Sequence, residues 1–164
     1  MSSILKAYWD SKLPIYEISH SKLQKEGINC LLIDVDGTLI NRKSTRIPKP
    51  VKNWINESKK LYSLYLISNN PSKKRISEIA KELKIEYKFN AFKPRKKTML
   101  EVMKEVKSEP INIAIIGDRI FTDIIVGNRC KIKTILVKRL NRNGAPVKFN
   151  LTLFIEKLIS LFIT

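Results

Sequence analysis

The stretch Cys30-Leu31-Leu32-Ile33-Asp34-Val35-Asp36-Gly37-Thr38 decides how the chain folds. Its apolar run has no polar alternation, the mark of a strand covered on both faces, and it closes on acids. Leu64-Tyr65-Leu66-Ile67-Ser68-Asn69 and Ile113-Ala114-Ile115-Ile116-Gly117-Asp118 repeat the pattern, each ending on polar residues. Between these runs, Lys49 to Leu61, Ser72 to Leu83, Arg95 to Val106 and Thr122 to Cys130 carry apolar residues at helical spacing, as at Ile76, Ile79, Ala80 and Leu83. Short strands are expected near 85–89 and 133–137. The alternation therefore predicts an α/β protein, a three-layer α/β/α parallel sheet of about five strands wound right-handedly. In such a sheet the ligand site lies beyond the C-terminal strand ends.

Working outward, residues 1–27 read as a lead-in followed by a helix from Tyr16 to Glu26 that stops at Gly27, and 28–138 as the core. A polar loop with Asn143-Gly144 and Pro146 leads to a C-terminal amphipathic helix within 149–164. Along it Glu156, Lys157, Ser160 and Thr164 share one side, and the remainder is apolar. Such a helix either docks on the core or contacts a membrane surface or partner. One domain over 1–164 is the expectation, since the length of 164 residues suits a single core.

Composition narrows the function. An apolar fraction of 43% with 8% aromatic residues is that of a folded globule. Thirty-two Lys and Arg against 15 Asp and Glu give a net charge of +17, which favours anionic partners or reflects solvated lysines, and placement along the chain must separate the two. A single histidine, His20, excludes His-based triads and multi-His metal sites. Cys30 and Cys130 lie far apart in apolar contexts and read as idle reduced thiols. No apolar stretch has the length of a membrane span or the character of a secretion signal, so a cytoplasmic protein is expected.

Chemistry gathers at the strand ends. Side-chain alternation aims Asp34 and Asp36 the same way, and two close carboxylates call for a cation or a shared proton. A hard, oxygen-seeking ion such as Mg²⁺ is the natural relief. Asp118 ends a neighbouring strand, so Asp34, Asp36 and Asp118 form one anionic pocket in a parallel sheet. Asp123, after Thr122, either joins them or only complements a helix dipole. Ser68 and Asn69 offer a hydroxyl and an amide-bearing turn to a phosphoryl oxygen, or merely cap a helix. Lys93, in Ala91-Phe92-Lys93-Pro94, can neutralise the same group or be an ordinary loop lysine.

Taken together, these four segments resemble the haloacid dehalogenase (HAD) superfamily of phosphohydrolases, whose fold is Rossmann-like. Asp34-Val35-Asp36-Gly37-Thr38 is similar to its first motif, Ser68 to its second, Lys93 to its third, and Gly117-Asp118 through Thr122-Asp123 to its fourth. The resemblance implies that Asp34 is a nucleophile forming an aspartyl-phosphate and Asp36 the general acid and base. It implies that Ser68 and Lys93 orient and neutralise the transferred group, with Thr38 and Asn69 beside the substrate. Mg²⁺ would be held by Asp34, the Asp36 backbone carbonyl and Asp118, supported or joined by Asp123.

The intervals 35–67 and 69–92 are filled by a helix and a strand each, which leaves no room for a cap domain. An open site is expected. Its mouth should be basic, because Arg42, Lys43, Arg46, Lys49 and Lys52 follow the first strand, Lys73, Lys74 and Arg75 the second, and Arg95, Lys96 and Lys97 follow Lys93. The capless layout, Ser11 to Ile18 and Leu23 to Ile28 resemble the YqeG-type branch, from which Gly37 departs where Asn is more frequent. That resemblance implies dephosphorylation of phosphatidylglycerophosphate to phosphatidylglycerol. A phosphorylated lipid head group and peripheral contact with an anionic membrane are thus the expected partners. The alternatives are a soluble sugar phosphate, a nucleic-acid end, or non-catalytic phosphate binding. Nucleic acid is disfavoured by the lack of a stacking aromatic track, and oligomeric state is not legible.

Overall fold

The computed structural model describes residues 4–162. Six parallel strands form its sheet: β1 (Trp9–Asp10), β2 (Cys30–Ile33), β3 (Ser63–Ile67), β4 (Glu86–Lys88), β5 (Ile113–Gly117) and β6 (Lys133–Leu136), in the order β1-β6-β5-β2-β3-β4. The helices are α1 (His20–Lys25), α2 (Lys49–Leu61), α3 (Lys73–Leu83), α4 (Lys97–Glu105), α5 (Ile125–Arg129) and α6 (Leu151–Phe162).

Period-two alternation explains the three layers. Leu31 and Ile33 of β2, with Ala114 and Ile116 of β5, face a core that includes Leu23, Val51, Ile55, Ile76 and Leu83 of α1 to α3. Cys30, Leu32, Ile113 and Ile115 face the opposite core with Met99, Val102 and Val126. The central strands are apolar throughout because both of their faces are covered.

The five-strand expectation is corrected to six. β1 lies in the lead-in and pairs with β6 through Trp9 opposite Ile135 and Asp10 opposite Leu136. Two residues at a sheet edge carry no apolar run, so the pattern left no trace. The helix expected from Tyr16 to Glu26 is also shorter. A 3-10 turn at Ile15–Glu17 precedes an extended break, and Ser19 caps α1 by accepting the Lys22 N–H at 3.3 Å. Gly27 ends this segment at φ +67, as its position required. In place of a helix from Thr122, a wide π turn at Ile120–Ile124 leads into α5.

The connections β2–β3 and β3–β4 contain loop and helix with no inserted domain among the described residues. α6 begins where Asn150 Oδ1 accepts the Leu153 N–H at 3.2 Å. It docks, but by the side carrying Leu153, Glu156 and Lys157, while Leu151, Phe154, Ile155, Leu158 and Ile159 are exposed. Thr164 lies outside the described residues. No helix among those described is long and apolar enough to cross a membrane.

Candidate active site

β2 and β5 run side by side with Ile33 opposite Ile116, and the Asp34 N–H donates to Ile116 O at 2.9 Å. Asp34 and Asp118 therefore leave the sheet together, at its C-terminal edge. The π turn after Asp118 brings Asp123 back toward them, and its Oδ2 accepts the Arg119 N–H at 3.3 Å. One carboxylate oxygen from each of Asp34, Asp118 and Asp123 lies within 4.8 Å of the others, and all three residues are buried.

Two glycines make this convergence possible. A Cβ on Gly37, which sits at φ +103, would stand 2.6 Å from Asp118 Oδ2, and one on Gly117 would stand 2.3 Å from the Asp123 carboxylate. Only the missing side chain leaves space for these acids.

Lys93 lies between the acids. Its Nζ donates to Asp34 Oδ1 at 2.7 Å, to Asp123 Oδ1 at 2.6 Å and to Ile67 O at 2.9 Å. Its loop is held by Asn69, which accepts the Lys93 N–H at 2.7 Å and donates to Lys93 O at 2.8 Å. Burial alone would lower the ammonium pKa, but Asp123 and Asp34 outweigh it and hold the group charged. Burial and the neighbouring Asp123 and Asp118 push Asp34 up to about 8 against the pull of Lys93. Burial and Asp123 push Asp118 up to about 6, against the pull of Arg139. The acid cluster is thus short of positive charge. Arg139 Nε binds Asp118 Oδ2 at 2.6 Å, and Asp118 Oδ1 is buried with no hydrogen-bond partner among the described residues. Three buried carboxylates and an unpartnered oxygen fit a divalent cation.

Asp36 is placed differently. Its carboxylate is not in the acid cluster but binds Arg75, with Nη2 at 3.0 Å and Nε at 3.3 Å, and Asn70 Nδ2 at 2.6 Å. Ser68 is buried at the pocket floor and accepts the Asn70 N–H at 3.1 Å, which leaves its own hydroxyl hydrogen free to donate. Thr38 does not reach the pocket. It is fully buried, and its hydroxyl donates to Asp34 Oδ2 at 3.3 Å, so it steadies Asp34 from behind the pocket wall.

The pocket has a volume of about 290 Å³, with Asp34, Asp36, Ser68 and Lys93 in its lining. Arg42, Arg119 and Arg139 line it as well, so its wall is cationic over an anionic floor. Arg139 and Asn70 were missed by sequence reasoning. A cation three residues past the end of β6 was the available signal for Arg139, since that position lies on the same sheet edge.

A family model described as mitochondrial PGP phosphatase matches residues 10–139. A probable phosphatase, YqeG of Bacillus subtilis (strain 168), is 26% identical over 137 residues, spanning 83% of this chain and 80% of that protein. Among solved structures, the cobalt-bound deoxy-D-mannose-octulosonate 8-phosphate phosphatase of Haemophilus influenzae superposes with a TM-score of 0.55 at 16% identity, over 87% of this chain and 89% of that one. A 3-deoxy-D-manno-octulosonate 8-phosphate phosphatase of Moraxella catarrhalis, solved with a magnesium ion, a phosphate ion and KDO, gives 0.50 at 18% identity, over 86% and 91%. These two structures share the fold.

Proposed function

The chain belongs to the mitochondrial PGP phosphatase family and is a phosphatase of the haloacid dehalogenase superfamily, and on that premise we propose that it hydrolyses phosphatidylglycerophosphate to phosphatidylglycerol through an aspartyl-phosphate, with Mg²⁺. The observation that carries the chemistry is the Lys93 ammonium bridging Asp34 and Asp123 at the floor of an uncapped, arginine-walled pocket.

Asp34 attacks phosphorus in line, and the bond from phosphorus to the leaving alkoxide breaks. The Asp36 carboxyl, held by Arg75 and Asn70, protonates that alkoxide. It then takes a proton from the water that attacks the aspartyl-phosphate, releasing inorganic phosphate and restoring Asp34. Ser68 donates its hydroxyl, and Lys93 its charge, to the transferring oxygens. Asp34, Asp118 and the Asp36 backbone carbonyl, with Asp123 behind them, would hold Mg²⁺, which supplies positive charge to the same oxygens. The phosphatase of Moraxella catarrhalis, solved with magnesium and phosphate ions, supports that choice of ion.

A lipid head group suits a site that no cap encloses, because its phosphate is presented from a surface. Peripheral residence at an anionic membrane follows. The test is phosphate release, with Mg²⁺, from phosphatidylglycerophosphate in mixed micelles, beside glycerol phosphate, a sugar phosphate and a 3′-phosphorylated oligonucleotide, with Asp34→Asn as control. Release concentrated on the lipid and lost in the variant supports the proposal, and preference for a soluble phosphate overturns the substrate.

A further inference from the structure

α6 is amphipathic in the inverse of the usual sense. Its inward side carries the Glu156 carboxylate, 2% exposed, whose Oε2 accepts the Ile120 N–H at 2.8 Å and whose Oε1 lies 3.4 Å from Arg119 Nε. Lys157 beside it reaches Asp10 Oδ2 of β1 at 2.9 Å. Leu153 packs on the small core of Leu5, Ile120, Ile124 and Leu136. The helix is therefore fastened by charge and hydrogen bonds at fixed points, and its orientation is not free to reverse. Burying a carboxylate while leaving leucine, isoleucine and phenylalanine in solvent is the costly arrangement if water is the only neighbour.

Leu151, Phe154, Ile155, Leu158 and Ile159 form that exposed stripe at helical spacing, and Phe149 extends it. Next to it runs a groove of about 230 Å³ walled by Phe149 and Phe154, where Lys12 and Lys157 pair with Asp10 and Arg139 with Asp118, and Lys138 and Lys148 stand exposed beside them. Apolar residues bordered by cations match the acyl boundary and the anionic head groups of a bilayer. A second copy of the chain fits less well, because face-to-face pairing would bring these cations together in a molecule of net charge +17. The position is also telling: Thr152, at the start of α6, and Arg139 both line the phosphatase pocket.

We propose that the outward face of α6, with the basic groove beside it, docks on the surface of an anionic lipid bilayer and sets the pocket mouth at that interface. The purpose of the contact rests on the lipid-phosphatase reading; the contact itself does not. The proposal engages the interfacial plane alone, with α6 lying along it over its 12 described residues.

The experiment is flotation of the full chain with vesicles of phosphatidylcholine with or without phosphatidylglycerol, for the parent, the double variant Phe154→Glu/Ile159→Glu, and Lys138→Glu/Lys148→Glu. Turnover of p-nitrophenyl phosphate in solution is measured alongside. The parent should float with the anionic vesicles only, and the apolar variant should lose about tenfold or more of that binding while its p-nitrophenyl phosphate turnover is unchanged. The charge variant should lose binding most at low salt. Equal flotation of parent and apolar variant overturns the proposal, as does equal binding to neutral vesicles. A parent that ignores vesicles and sediments as a dimer dispersed by Phe154→Glu/Ile159→Glu overturns it in favour of a second copy. Anionic-vesicle binding without hydrolysis of phosphatidylglycerophosphate supports the docking surface and defeats the substrate assignment instead.

Discussion

Arg75 lays its guanidinium along one oxygen of the Asp36 carboxylate while donating to two loop carbonyls, Ser44 O at 2.6 Å and Asn41 O at 3.1 Å. It ties the loop after β2 to α3 and fixes the Asp36 carboxyl in one plane. Positioned acid–base groups contribute on the order of 10²–10⁴ in rate. Arg75→Ala should therefore lower kcat about tenfold to a hundredfold with little change in KM, and Arg75→Lys should recover part of the loss. Steady-state kinetics decide: a change confined to KM would place Arg75 on the substrate.

Removing Lys93 should be felt in folding as well as in rate. Lys93→Met leaves Asp34 and Asp123 buried without their shared cation, and breaking a buried pair costs about 3–5 kcal/mol. Urea midpoints for the metal-free protein should fall accordingly. Lys93→Met/Asp123→Asn should regain stability without regaining phosphate release, which double-mutant analysis would register as coupling.

Metal should stabilise the fold. A cation that binds only the native acid cluster adds about 2.7 kcal/mol at a hundred times its Kd, so Mg²⁺ should raise the Tm of chelator-treated protein by several degrees. Asp118→Asn should shrink that increment by removing the unpartnered Oδ1 as a carboxylate oxygen. An increment unchanged in Asp118→Asn would move the ion elsewhere.

Much of this was legible in the chain and some was not. The runs ending at Ile33, Ile67 and Gly117 gave the central strands because strands buried on both faces have no alternation to confuse with helices. Asp34, Asp118 and Ser68 were legible for the same reason, as polar residues at the ends of such runs. Arg139 was not, and Arg75, expected among the cations of the mouth, was not legible as the partner of Asp36, because one cation among thirty-two carries no mark of its partner. α6 shows the limit most clearly: spacing put Glu156 and Lys157 on one side, but the direction of that side is set by Ile120, Arg119 and Asp10, none of them nearby in sequence.

The thiols should prove inert. Burial pushes Cys30 up to about 11 and also raises Cys130. Neither should be alkylated at pH 8 in the native protein, and both should react on unfolding. The native state keeps the Cys30 proton that the unfolded chain loses near the ordinary thiol value of 9.0. Stability is therefore unaffected below that pH and falls as pH rises toward 11. Denaturant midpoints across this window should decline less steeply in Cys30→Val.

Register has a thermal consequence. Asp34 and Asp118 extend from β2 and β5, the two strands at the centre of the sheet, and the hydrogen bond from Asp34 N to Ile116 O continues the ladder to the reacting residue itself. Backbone amides there should exchange with deuterium only through whole-molecule opening. A catalytic group so anchored cannot be lost by local fraying. On heating, hydrolysis should persist until the sheet melts, and the two should fail at one temperature.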